Sequence, residues 1–324
     1  MIGETDKAVA LFLELLEESE DNPRLRDLIR QKLLALYITN QDADGALKQI
    51  ESIVGTHPDN PQANFLLATV AYEKNDLPKA ITYFRKTIEL KPDYEQAYYS
   101  LAGALINSGN DAEAIELLKT TREKWPDSFV AQYYSGIVFS RAQRHEEALK
   151  HFKFAEQIAS NNAPGRLDFN FYFQMGAQLE RNGLYEEAAK SFKRCLDLKQ
   201  DHAQALNYLG YMWADLGIHL EEARKLIQKA VDLEPMNPAF LDSLAWVLYR
   251  LDQPNLALTY MEEAMKHQEE PDATLFDHLG DIHFAIGNQE EAMKAWRRSF
   301  EIEANPKVQK KLDGEAPIPA KPTT

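Results

Sequence analysis

The side chains able to carry chemistry are few, and their spacing decides what they could do. A lone cysteine, Cys195, could serve as a thiolate nucleophile. The run Asp277-His278-Leu279-Gly280-Asp281-Ile282-His283 holds potential metal ligands, with Asp277 and Asp281 one helical turn apart. His278 and His283, however, diverge on a helix by more than a quarter turn and do not converge on one ion. His145 and His151 straddle a turn and the helix that follows it. No glycine-rich phosphate loop, Gly-x-Ser-x-Gly elbow or His-Glu-x-x-His helix occurs. The acidic pairs Glu146-Glu147, Glu186-Glu187 and Glu221-Glu222 fall at helix starts, where they complement the helix dipole. The chain is therefore read as a non-enzyme with no metal and no cofactor.

The elements that must position these residues appear as a repeat. Alanine recurs at Ala46, Ala80, Ala114, Ala148, Ala188, Ala223, Ala257 and Ala292, at intervals of 34, 34, 34, 40, 35, 34 and 35 residues. One turn beyond each stands a large apolar residue: Ile50, Phe84, Leu118, Phe152, Phe192, Ile227, Met261 and Trp296. That spacing is helical. A further turn on, the side chain is small (Thr87, Thr121, Ala155, Cys195, Ala230, Ala264, Ser299), with Ile53 the exception. Small residues suit a close helix crossing, and this assigns Cys195 to packing. Pro58, Pro92, Pro126 and Pro235 end the helix. Upstream, a first helix carries a bulky residue followed by a small one: Leu67-Ala68, Leu101-Ala102, Met175-Gly176, Leu209-Gly210, Leu244-Ala245 and Leu279-Gly280. Gly109, Gly183, Gly217 and Gly287 mark the turn between the two helices.

Leu209-Gly210, Ala223, Ile227, Ala230 and Pro235 resemble the tetratricopeptide-repeat consensus, as do Leu279-Gly280, Gly287, Ala292 and Trp296. The resemblance covers residues 24–305. It implies an all-α fold, a right-handed α-α superhelix or solenoid of about eight repeats plus an N-terminal half-repeat. The expected organisation is a half-repeat helix over 1–23, repeats one to four over 24–160, and an insertion and hinge over 161–168. Repeats five to eight follow over 169–306, then a short basic helix and disordered tail over 307–324. In the half-repeat, Ala8, Phe12 and Leu15 follow the second-helix pattern, so Leu11, Phe12, Leu15 and Leu16 are expected to lack a covering helix. That face offers a route to self-association. Residues 206–251 resemble bacterial tetratricopeptide adaptor and envelope proteins.

Composition limits the partners. Asp and Glu number 51 against 36 Lys and Arg, a formal net charge of −15, so nucleic acid and anionic lipid surfaces are disfavoured. No run is long and apolar enough to insert in a membrane. A soluble chain is expected, cytoplasmic as written, or periplasmic or envelope-bound if a signal or anchor has been removed.

In arrays of this kind the first helices line a concave groove. Carried onto this sequence, the groove holds Phe65, Gln96, Tyr99, Tyr133, Tyr134, Asn170, Phe173, Gln174, Asn207, Tyr208, Tyr211, Asp242, Trp246, Asp277 and Asp281. Aromatic rings interleaved with amides suit a peptide, and the aspartates at the C-terminal end call for basic character in the partner. The Lys and Asn clamp by which some family members grip chaperone tails is replaced here by Gln62, Leu66, Gln96, Ser100, Val130 and Tyr134. The expected function is thus a protein-interaction scaffold or adaptor holding a peptide segment or protein partner in its groove. The alternative is a regulator binding a small molecule or lipid in an apolar pocket near the 160–168 insertion.

Overall fold

The computed structural model describes residues 2–19, 22–39 and 43–315. The chain divides into two compact units, Met1–Ile158 and Ala159–Thr324. Every element among the described residues is helical. The first unit contains α1 (Ile2–Glu18), α2 (Pro23–Thr39), α3 (Ala43–Thr56), α4 (Pro61–Glu73), α5 (Leu77–Leu90), α6 (Glu95–Asn107), α7 (Asp111–Lys124) and α8 (Phe129–Arg141). Helix α9 (His145–Asn162) begins there and ends in the second unit. The second unit continues with α10 (Phe169–Arg181), α11 (Tyr185–Leu198), α12 (Ala203–Leu216), α13 (Leu220–Leu233) and α14 (Pro238–Arg250). It closes with α15 (Pro254–His267), α16 (Ala273–Ala285), α17 (Gln289–Ile302) and the short α18 (Pro306–Leu312).

Each repeat alanine and the large apolar residue one turn beyond it is buried, which is why the two recur together. They face the first helix of their own pair. At four glycines of those first helices the approach is too close for any side chain. An ideal Cβ would lie 2.7 Å from the Phe152 ring at Gly136, 2.7 Å from Phe192 at Gly176, 2.5 Å from Ile227 at Gly210 and 2.3 Å from Trp296 at Gly280. The small residues a turn further on, Cys195 among them, are also buried. Burial pushes the Cys195 thiol up to about 11, so it is a packing group.

Among the described residues, the turns inside the pairs from α4 onward carry a left-handed residue. Glycine supplies it at Gly109, Gly183, Gly217 and Gly287, while Asn75, Gln143 and Asp252 take positive φ at the matching points of their own pairs. Several first helices are capped at their start by a side chain: Asn60 accepts from Ala63 N, Ser128 from Ala131 N, Asp168 from Phe171 N, and Asn237 from Ala239 N and Phe240 N.

Within each unit packing runs from helix to helix, α1 to α8 in the first and α10 to α18 in the second, and first helices of successive pairs also touch: α4 with α6 and α6 with α8, and α10 with α12, α12 with α14 and α14 with α16. Their shared face is where the candidate site lies. The 163–168 segment forms a single 3-10 turn, Pro164–Arg166, that buries no residue.

At the N-terminus α1 rests on α2, with Leu11, Leu13 and Leu15 exposed and Phe12 and Leu16 half-buried. At the other end α18 docks through Val308 into an apolar cluster with Ala292 and Trp296. The tail expected to be disordered lies, from residue 316 on, outside the described residues.

Candidate functional site

In the first unit, the face formed by α4, α6 and α8 presents aromatic rings that mostly serve one another. Phe65 packs between Phe84 and Tyr94, with ring centroids 5.5 and 4.9 Å away. Tyr99 is buried; its hydroxyl donates to Glu95 and meets Ser128 Oγ, so it ties α6 to the start of α8. Tyr133 is half-buried, stacked on Phe129 at 5.8 Å and set edge-on to Phe152 at 5.7 Å. Tyr134 is half-buried, and burial, aided by the nearby Tyr72, raises its phenol above the usual range. Gln96 is exposed at the face's edge.

In the second unit the repeat register places residues 35 apart side by side. Asn207, Asp242 and Asp277 occupy one position of α12, α14 and α16, and Tyr211, Trp246 and Asp281 occupy the position one turn later. Two cavities open between them. One, of about 390 Å³, is lined by Asn207, Tyr208, Tyr211, Asp242 and Asp272 among others. The second, of about 310 Å³, shares Tyr211 and Thr274 with it and reaches Trp246, Asp277, Asp281 and Lys311. Phe173 stands before them, edge-on to Tyr208 at 5.3 Å, while Asn170 is exposed and Gln174 half-buried.

The aspartates expected to face a partner are largely engaged. His278 Nδ1 donates to Asp242 Oδ1 at 2.8 Å, both residues being buried. The imidazole lies flat on the Trp246 indole. Lys311 of α18 donates to Asp277 Oδ1 at 2.7 Å and Asp281 Oδ2 at 2.8 Å, and Trp296 Nε1 donates to Asp281 Oδ1 at 2.9 Å. Burial opposes the imidazolium, but Asp242, Asp281 and Asp277 outweigh it and raise the pKa of His278. Burial likewise raises Asp281 against the pull of Lys311. The Tyr211 phenol is driven far up, first by burial and then by Asp242, Asp215, Glu180 and Asp277.

Repeat spacing brings together Asn207, Tyr208, Tyr211, Asp242, Trp246, Asp277 and Asp281. It does not foresee His278 as the partner of Asp242, although both lie on adjacent first helices. Lys311 carried no signal beyond the basic run at 307–312, because α18 is outside the repeat. Two polar groups in the site have no partner: Asn207 Oδ1 and Trp246 Nε1 make no hydrogen bond, each on a residue only 8% exposed. Among the described residues no group of three His, Cys, Asp or Glu side chains is arranged to hold a metal, and no helix is long and apolar enough to cross a membrane.

Comparison with known proteins agrees with this architecture. Residues 174–238 match the tetratricopeptide-repeat family, and residues 61–163 match the family described as the TT21 fifth ARM repeats domain. The TPR repeat-containing protein PA4667 of Pseudomonas aeruginosa is 35% identical over 114 residues, covering 35% of this chain and 19% of that protein. Human tetratricopeptide repeat protein 13 is 28% identical over 128 residues, covering 38% of this chain and 15% of that protein. The match thus spans less than a fifth of either relative's length. Among solved structures, a tetratricopeptide repeat protein from Parabacteroides merdae aligns with a TM-score of 0.59 at 15% identity, covering 78% of this chain and 96% of that one. A chain of the APC/C hetero-tetramer Cut9–Hcn1 aligns with a TM-score of 0.56 at 16% identity, covering 95% of this chain and 59% of that one. At these identities the likeness concerns the fold.

Proposed function

The chain is a tetratricopeptide-repeat protein, and from that premise we propose that it is a non-catalytic scaffold that binds an extended or helical peptide segment along its first helices. The observation carrying this reading is the pair of cavities in the second unit, where first-helix residues in repeat register surround open space and leave Asn207 and Trp246 polar atoms without partners. Buried polar groups of that kind are satisfied when a ligand backbone or side chain reaches them. The only cysteine is a buried thiol with a raised pKa, which favours a binding role over nucleophilic catalysis.

The partner's chemistry follows from the walls. Half-buried Tyr133, Tyr208 and Tyr211 offer apolar anchoring surface with a polar tip, and the second unit's negative field favours basic residues. The exposed Leu11, Leu13 and Leu15 of α1, with Leu25 and Leu28 of α2, support self-association as a second contact.

The test is capture of partners from the source organism by the immobilised chain. Tyr133→Ala and Tyr208→Ala should each weaken capture by about 1–3 kcal/mol. Tyr99→Phe should lower stability and leave capture intact, because that hydroxyl is spent on Glu95 and Ser128. Glu186→Lys, exposed at the start of α11, is the neutral control. Capture indifferent to both alanine variants would remove the groove reading.

A further inference from the structure

The two cavities of the second unit are built alike and differ in one component. In the smaller, carboxylates and an indole surround a cation the chain itself provides: Lys311 sits on Asp277 and Asp281, 5.9 Å from the Trp296 ring centre. The larger cavity has the carboxylates and the aromatic walls, with Arg181 as its one lysine or arginine, and both Arg181 and Glu180 have partners of their own. What remains on its wall is mostly acceptor. Asp242 Oδ2 is unbonded, its Oδ1 being held by His278, and Asp272 Oδ2 is unbonded, its Oδ1 capping Thr274 N and Leu275 N. Asn207, more than nine-tenths buried, keeps an unpartnered Oδ1.

We infer that this cavity receives the side chain of a lysine or arginine from the bound peptide, with Asp242, Asp272 and Asn207 accepting its hydrogen bonds and Tyr208 and Tyr211 flanking its aliphatic stem. The inference rests on the peptide-scaffold reading and specifies what one part of that peptide must be. A cation answers each feature of the wall. It offsets the charge of Asp242 and Asp272, satisfies the orphan acceptors, and meets aromatic faces that attract positive charge. At about 390 Å³ the space holds either side chain entire. An acidic or neutral side chain would leave the carboxylates uncompensated. Lys311, one cavity away, is the chain's own example of the same recognition.

The test is methyl NMR on the full chain, titrated with three probes: acetyl-Ala-Lys-Ala-amide, its arginine analogue and its norleucine analogue. The two basic probes should shift the methyls of Met212, Ala239 and Leu275, which line the cavity, and bind at least about tenfold more tightly than norleucine. Asn207→Asp, nearly the same shape with an added charge, should tighten lysine binding several-fold. Asn207→Leu should weaken it by a similar factor, and neither should change norleucine binding. A purely structural asparagine would not move the two variants in opposite directions. Equal affinity for lysine and norleucine, or shifts confined to other methyls, overturns the inference. Partner capture that depends on Tyr133 but ignores both Asn207 variants would overturn it too, while leaving the scaffold reading in place.

Discussion

Trp246 and His278 stack face to face, with ring centroids 4.1 Å apart and planes 15° from parallel. An indole face favours a cationic imidazole, and Asp242 holds its Nδ1 proton. The titratable and charged groups around this ring come from several elements: Asp242 of α14, Asp277 and Asp281 of α16, the neutral Tyr211 phenol and Asp215 of α12, and Lys311 of α18.

A pH dependence follows from that setting. The folded pKa of His278 lies above the ordinary value of 6.5, so its contribution to stability is complete below that value and is lost as pH rises through the folded pKa. The urea midpoint of the second unit should fall as pH rises from 6.5 through the folded pKa of His278, and His278→Gln should flatten that fall. A midpoint that climbs over this range contradicts the assignment.

Lys311 should matter far more than its place near the chain's end suggests. Lys311→Met leaves Asp281, almost wholly buried, facing Asp277 without a cation. Breaking such a pair costs about 3 kcal/mol. Adding Asp277→Asn and Asp281→Asn should recover most of the loss, as read by local hydrogen exchange of α16 to α18. No recovery would mean that α18 is held by Val308 alone.

Glycines in the first helices divide by what they touch. At Gly280 a Cβ would strike the Trp296 indole, which cannot swing aside without giving up Asp281. Gly280→Ala should therefore destabilise by about 1–3 kcal/mol. At Gly103 the nearest atoms are 3.7 Å away, so Gly103→Ala should gain about 0.5–1 kcal/mol. Thermal melts of the two variants should move in opposite directions.

Gln143 holds φ at 61° at the turn where four other pairs use glycine. Gln143→Gly should stabilise the first unit by about 1 kcal/mol, and Gly109→Ala should cost about as much. Unchanged denaturant midpoints for both would argue against the left-handed turn.

These variants also mark what the amino-acid pattern makes legible. Alanine, its large apolar follower and the small residue beyond all lie on one buried stripe of each second helix, so the pattern betrays them directly. Gly136 was not recognised as a close-packing position because Ser135 before it breaks the bulky-small pattern, yet it meets Phe152 as Gly176 meets Phe192. The turn at Gln143 was hidden because glutamine carries no preference for positive φ. Asn207, Asp242 and Asp277 were legible as a file because the repeat copies backbone position faithfully. Their pairing was not legible. Position within a repeat says where a side chain starts, whereas His278 and Lys311 are chosen by charge across elements, one of them outside the repeat.

The glycine-to-ring contacts have a mechanical consequence. Gly136 with Phe152, Gly176 with Phe192, Gly210 with Ile227 and Gly280 with Trp296 each lie within a single helix pair, so these close joints are internal to the repeats. Pulled from its ends, such a chain gives way pair by pair rather than residue by residue. Each event releases a repeat's worth of backbone, on the order of 100 Å of extended chain, so the pair is the step of extension.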